Sequence, residues 1–308
     1  MNKNIEELQN QLNNYCDELD VLRNLSNTTI RNYKQTNETF IKYLNEMDLK
    51  MSENAENILK KYIIYLKKDK DNSYSTINKY LQQIIQFLKY LNITVEIQLP
   101  KDNTRNKKIK YLKPDEIQEV LKTVPKHNVR DKAIIQTLYR TGLRVSELSN
   151  LKKQNLNLKS TDKAIAINVF DGKGGKDRTV YIDDLTLKLV NTMIYKRTRK
   201  NRTDKTDYLF TNNTGGRLSE RSIQKLVKKY ATETDERLNE EGLKLGLSER
   251  LTPHTLRHSF TIYLLNYSNR PINEVQQLLG HSNISTTQIY SKVDDSTIKN
   301  SYENIKWD

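Results

Sequence analysis

His254 and Arg257 stand three residues apart in the run PHTLRHSF, a spacing that puts both side chains on one face of a helix. Upstream, TGLRVSEL carries Arg144 just after a glycine, and DGKGGKDR carries Lys173 on a glycine-rich stretch. Downstream, LGHSNISTTQIY carries His281 and Tyr290. Taken singly these are weak signals. An arginine after a turn is usually a surface residue, a lysine on a glycine-rich turn is usually only solvated, and a tyrosine near a chain end usually packs. Together they are the parts of a metal-free phosphoryl transfer. A phosphodiester under attack gathers negative charge on its non-bridging oxygens, and two guanidiniums can clamp these with paired, planar hydrogen bonds. Positive charge held in a dry site replaces the usual magnesium. A phenol has a pKa of about 10 and must lose its proton as it attacks; a histidine is a suitable acceptor near neutral pH. The departing 5′ oxygen needs a proton in turn, which a lysine can supply. His258 reads as a supporting or packing residue.

The elements that must hold these groups are legible around them. Residues 115–123 read as a helix, and RDKAIIQTLYRTG as a second that ends at Gly142 and so delivers Arg144. Residues 164–169 alternate in the manner of a strand, and 179–182 form a second with Val180 and Ile182 on one face. DGKGGKDR between them has the composition of a tight turn, which places Lys173 at the tip of a hairpin. Helices resume near Asp183 and Ser219. Thr252-Pro253 is an N-cap and first-turn pair that opens the helix of His254 and Arg257. Pro271 opens another, and Gly280 stops it immediately before His281. Residues 231–250, ATETDERLNEEGLKLGLSER, are acidic and weakly patterned, and read as an insertion or a loose helix.

Residues 1–100 read as helices joined by short polar turns. Ile77, Leu81, Ile84, Ile85, Leu88 and Leu91 fall at helical spacing, as do Ile30, Tyr33, Phe40, Ile41 and Leu44, and Ile58, Leu59, Tyr62, Ile63 and Leu66. Such stripes are core rather than binding surface. After Pro100 comes KDNTRNKKIKYLK, which has little to bury and much charge to repel. It reads as a linker over 101–113, and its Lys101, Arg105, Lys107, Lys108 and Lys110 are either merely solvated or a basic strap across DNA phosphates. The whole chain of 308 residues carries 52 Lys+Arg against 38 Asp+Glu, a net charge of +14, which favours an anionic polymer as partner. An alternative reading assigns part of that charge to the lysine and asparagine richness of an AT-rich genome. Cys16 is the single cysteine, so no disulfide or thiolate cage forms within the chain. The polar N-terminus lacks a signal-peptide core, and no apolar run nears the roughly 20 residues a bilayer span requires. A cytoplasmic protein without membrane association is expected.

TGLRVSEL, GKGGKDR, HTLRH, LGHSN and the final tyrosine resemble the signature of tyrosine site-specific recombinases, the phage integrase family, in its simple, Xer-like two-domain form. The likeness is strongest from about Lys113 to Tyr290 and extends more loosely to LSNTTIRNYKQTNETFIKYL. It implies a mainly α fold: an all-helical, SAM-like core-binding domain over 1–100, a basic linker over 101–113, and a mostly helical catalytic domain over 114–308 with a small β-hairpin. The two domains are expected to close on DNA as a C-shaped clamp. By the resemblance, Arg144 and Arg257 hold the scissile phosphate, Lys173 protonates the 5′ oxygen, His254 exchanges the tyrosine proton, His281 bonds the phosphate and Tyr290 forms a 3′-phosphotyrosyl link. Lys176 competes with Lys173 for the acid role, and Lys176 and Arg178 join the candidate DNA contacts. No cofactor, metal or ATP is implied. The partners implied are double-stranded DNA with inverted-repeat core sites, three further copies or a related recombinase in a tetramer, and an accessory or directionality factor. The tail SKVDDSTIKNSYENIKWD, with Val293, Ile298, Tyr302 and Ile305 on one side and Trp307 as anchor, is expected to dock on a neighbouring subunit, or else on its own domain. The chain is short for an additional arm-binding domain. Integration, excision and dimer resolution are all open.

Three rivals are weighed beside this. A type IB topoisomerase-like relaxer would use similar groups without pairing two sites. An architectural DNA binder would need neither Tyr290 nor Lys173. A metal nuclease would need a carboxylate cluster that the sequence does not offer.

Overall fold

Four amphipathic helices make the first unit: α1 (Ile5–Val21), α2 (Asn27–Glu46), α3 (Ala55–Lys68) and α4 (Tyr74–Tyr90). Ser26, Asn54 and Ser73 cap the last three by accepting backbone N–H bonds. The stripes expected to be core are core: Phe40, Leu59, Tyr62, Ile77, Leu81 and Ile84 are at most 1% exposed. At roughly 1.5–3 kcal/mol for each large apolar side chain removed from water, this apolar interior is the main source of the unit's stability. Helix α1 was not expected as a distinct element. Its stripe of Leu8, Leu12, Tyr15, Cys16 and Leu19 is buried, and Tyr15 packs on Phe87 and Tyr90 with ring centroids 5.5 and 5.0 Å away. Asparagines and glutamines between those positions dilute the stripe in the sequence.

The second unit begins after Lys107. It contains α5 (Pro114–Thr123), α6 (Val129–Thr141), α7 (Val145–Asn150), β1 (Ala164–Val169), β2 (Arg178–Asp183), α8 (Asp184–Asn201), α9 (Glu220–Glu240), α10 (Leu247–Arg250), α11 (Pro253–Ile262) and α12 (Ile272–Leu279). In the computed structural model residues 5–49, 54–101, 110–170, 177–201, 206–268 and 270–280 are described. Helix α6 runs through the middle of the unit, with Ala133, Ile134, Ile135 and Leu138 wholly buried, and α5, α8, α9, α11 and β2 pack around it. The two strands pair as the expected hairpin, with Val169 opposite Arg178 and Ile165 opposite Ile182. Ile165, Ile167, Val169, Val180 and Ile182 turn inward from it.

Two boundaries differ from the sequence reading. Packing of the second unit begins before Pro114: Leu112 is 2% exposed and its N–H donates to Ser259 Oγ at 2.8 Å, so the tail of the expected linker is part of the core. Residues 231–250 are no loose insertion either. Helix α9 continues regularly to Glu240, with Ala231, Thr234 and Leu238 buried. Asp235 then accepts the N–H groups of Leu247 and Ser248 at 2.9 and 2.7 Å, which starts α10. Arg237 pairs with Glu119 at 2.6 Å, and Arg250 pairs with Glu116. The charges look unpatterned in sequence because the partners of Arg237 and Arg250 lie on α5 and those of Asp235 at the α10 turn.

Candidate active site

Four helix ends and one strand end meet at the site. Gly142 closes α6 in the left-handed region, at φ 62°, and the chain then turns so that Arg144 sits at the N-cap of α7. A Cβ on Gly142 would stand 2.5 Å from Phe260 Cδ1, so only glycine lets α11 lie this close. Helix α11 starts as expected, with Thr252 accepting from the Thr255 N–H at 3.0 Å and Pro253 in the first turn. That presents His254 and Arg257 toward the α6 end. Helix α12 stops at Gly280, again left-handed at φ 63°.

Arg257 is 4% exposed. Its guanidinium donates to the carbonyl of Gly142 and, at 2.7 Å, to that of Leu279. It therefore bridges the C-terminal ends of α6 and α12, where helix dipoles place partial negative charge. Those carbonyls orient the cation without neutralising it. Arg144 follows Gly142 closely in the chain, so the two arginines are neighbours in space.

Arg144 is steered by a residue the sequence reading overlooked. Glu147 Oε2 accepts the Arg144 backbone N–H at 2.7 Å, and Oε1 accepts the Arg144 guanidinium at 2.8 Å. Arg178 grips the same carboxylate with both terminal nitrogens at 2.7 Å, the bidentate geometry guanidinium favours. The Glu147 side chain is 6% exposed and that of Arg178 8%. Burial alone would raise the Glu147 pKa. Arg178, and then Arg144, outweigh it and hold the carboxyl at about 2. Two guanidiniums thus share one carboxylate, and with Arg257 beside them the cluster is net positive. The signal for Glu147 was present: an acid three residues after Arg144, at the position where a capping-box side chain reaches back to the N-cap N–H.

Arg178, expected among the DNA contacts, is placed differently. Its guanidinium lies inside on Glu147, and its Nε donates to the Leu278 carbonyl at 3.3 Å. It also lies against Gly280, where a Cβ would come within 2.6 Å of Arg178 Cδ. A site reading from composition alone sees a cation near a turn and cannot see the buried acid that claims it.

His254 lies beside this cluster. Partial burial of its ring, and then the positive charges of Arg257 and Arg144, push its pKa below the usual histidine value, although part of its surface stays exposed. The structure therefore brings Arg144, Arg257 and His254 together, as their types and spacing led one to expect. Lys173, Lys176, His281 and Tyr290 lie outside the described residues, as do Arg105, Lys107 and Lys108. The described ends of their segments are informative. Arg178, which closes the hairpin that includes Lys173, is fixed on Glu147, and Gly280, which precedes His281, is fixed under Arg178. Lys101 and Lys110, at the two ends of the basic stretch, are exposed. Among the described residues there is no group of three metal-ligating side chains, and no helix is long and apolar enough to cross a membrane.

With that geometry in hand, the family comparison is decisive: residues 110–297 match the model of the phage integrase family, and residues 7–109 match the phage integrase SAM-like domain. The chain belongs to the phage integrase family. Integrase-family relatives include the tyrosine recombinase XerA of Pyrococcus furiosus, 36% identical over 66% of this chain and 65% of that protein. Tyrosine recombinase XerD of Staphylococcus epidermidis is 37% identical over 68% of this chain and 66% of its own length. The chain thus spans a little under two thirds of the length of the curated relatives it matches. Among solved structures, XerH bound to palindromic difH substrate in a post-cleavage complex superposes with a TM-score of 0.73 at 21% identity, covering 96% of this chain and 84% of that one. The Tn1549 transposon integrase in complex with transposon right end DNA gives 0.68 at 18% identity, covering 96% and 99%. These two likenesses are of fold; the chain is mainly helical, and its described residues carry a two-stranded antiparallel sheet.

Proposed function

We propose that this chain is a site-specific DNA recombinase that breaks and rejoins duplex DNA through a 3′-phosphotyrosyl bond to Tyr290. The observation that carries the reading is the meeting of Arg144, Arg257 and His254 in one net-positive cluster, within a chain of the phage integrase family. Arg144 and Arg257 would clamp the non-bridging oxygens of the scissile phosphate, each already oriented by Glu147 or by backbone carbonyls, so little reorganisation accompanies the reaction. His254, its pKa lowered by partial burial and then by its cationic neighbours, would accept the phenol proton as Tyr290 Oη attacks phosphorus. The P–O5′ bond breaks as the Tyr290 O–P bond forms, and Lys173, or its rival Lys176, gives a proton to the leaving 5′ oxygen. His281, just past the anchored Gly280, would hydrogen-bond the phosphate. The phosphotyrosyl bond conserves the energy of the one broken, so rejoining by a 5′ hydroxyl needs no ATP, and the charge of the cluster stands in for a metal ion.

Double-stranded DNA as substrate is supported by the net charge of +14 and by the DNA-bound state of the XerH and Tn1549 structures. Exposed Arg221 and Lys225, four apart on α9, add a basic face. Exchange of strands between two sites requires four cleavages, so the working assembly is proposed to be a tetramer on inverted-repeat core sites. The tail after Tyr290 would contact the neighbouring copy, and an accessory factor would set direction.

The test is a denaturing gel for a protein–DNA adduct on nicked duplexes carrying inverted repeats from beside the gene. Wild type should form the adduct and Tyr290→Phe should bind the duplex without forming one. An adduct in the phenylalanine variant would refute the assignment.

A further inference from the structure

We infer that His258 is a positioning residue that sets the orientation of the His254 ring; the inference rests on the role proposed for His254 above. The two histidines lie one helical turn apart on α11, with ring centroids 4.2 Å apart and planes at 71°. Helical side chains lean back toward the N-terminus, so His258 reaches over the turn that carries His254. The contact is edge to face, the arrangement aromatic rings prefer. His258 is half-buried and His254 exposed, so His258 is the better held of the pair.

His254 needs such a support. Among the described residues no hydrogen bond fixes its imidazole. Its other charged neighbours, Arg257 and Arg144, are cations that repel its protonated form and offer no acceptor to aim it. An exposed side chain without a directing partner spreads over its rotamers. A proton acceptor works only within hydrogen-bond reach of the proton it takes, so time spent in the wrong rotamer subtracts directly from rate. The ring of His258 selects one orientation, and removing it is expected to slow cleavage by a few-fold to about tenfold, the population change an aromatic pair can impose.

The experiment is single-turnover cleavage of a nicked duplex bearing the inverted repeat that the protein selects from a random-sequence pool. His258→Ala should slow cleavage with DNA affinity unchanged, and His258→Phe, which keeps the ring, should recover most of the rate. In a double-mutant cycle, His254→Ala with His258→Ala should be no slower than His254→Ala alone. A wild-type rate in His258→Ala, no recovery in His258→Phe, or a full further loss on top of His254→Ala would each overturn the inference while leaving the role of His254 standing. A wild-type rate in His254→Ala would instead overturn that role and the inference with it. Should His258→Ala fail to fold, His258→Leu takes its place, filling the space without presenting a ring.

Discussion

Replacing Glu147 by glutamine keeps the shape of the side chain and removes the charge on which Arg144 and Arg178 are built. The carboxyl titrates at about 2 in the folded chain against an ordinary 4.5. A depressed carboxylate contributes stability that is fully present above its unfolded pKa and lost as pH falls toward its folded one. At 1.36 kcal/mol per pKa unit, the interaction is worth about 3 kcal/mol at pH 7, in line with the ~3–5 kcal/mol lost when one partner of a buried ion pair is removed. Glu147→Gln should therefore lower the unfolding free energy of the second unit by about 3 kcal/mol at pH 7, readable as a shift in urea midpoint or a fall of roughly 6–12 °C in Tm. The pH dependence is the sharper readout. By pH 3.5 the unfolded carboxyl is largely protonated while the folded one is not, so the gap between wild type and variant should narrow by about 1.4 kcal/mol. Equilibrium urea unfolding at pH 7, 5 and 3.5 measures both quantities. A gap under about 1 kcal/mol at pH 7, or one that does not narrow toward pH 3.5, would refute the claim that the two guanidiniums hold this carboxylate ionised.

Gly280→Ala should cost at least ~1–2 kcal/mol from the left-handed backbone alone, and its Cβ should displace Arg178, so the urea midpoint and the yield of covalent adduct should fall together. A variant with normal stability and normal adduct yield would show that Arg178 gives way freely. Cleavage should persist in excess EDTA, since side chains supply the positive charge; its loss, restored by magnesium, would revive a metal nuclease. DNA affinity, measured by fluorescence anisotropy, should fall by on the order of 10³-fold between 50 and 200 mM salt if about six phosphates are contacted. A flat dependence would argue against backbone contacts as the main source of binding.

Much of the fold was legible because its signals are local. Thr252-Pro253, Gly142 and Gly280 mark helix ends by backbone chemistry that any context obeys, and the alternation around Ile165 and Val180 admits little but a hairpin. The grouping of Arg144, Arg257 and His254 was legible through residue type and order. What stayed hidden was partnership across the chain. Arg178 looks like a surface cation until Glu147 of α7 is placed beside it. The charges of 231–250 look idle until Asp235 is seen capping α10 and Arg237 reaching Glu119 on α5. Helix α1 was hidden by its polar filler, since its stripe becomes a core only when Phe87 and Tyr90 arrive from α4.

The six-rung hairpin ladder and the Arg178–Glu147 pair have a practical corollary. The two strands are held in register by their own ladder and by that pair, so the sequence joining them, Lys173 and Lys176 apart, can be varied while Val169 and Arg178 stay opposite each other. The α12 terminus offers no such freedom. Its last two carbonyls are held by guanidiniums from two other elements, and a residue inserted between Gln277 and Leu278 would slip both carbonyls off their anchors at once. A library aimed at new DNA sites should vary the first segment with Lys173 and Lys176 kept, and leave the second untouched.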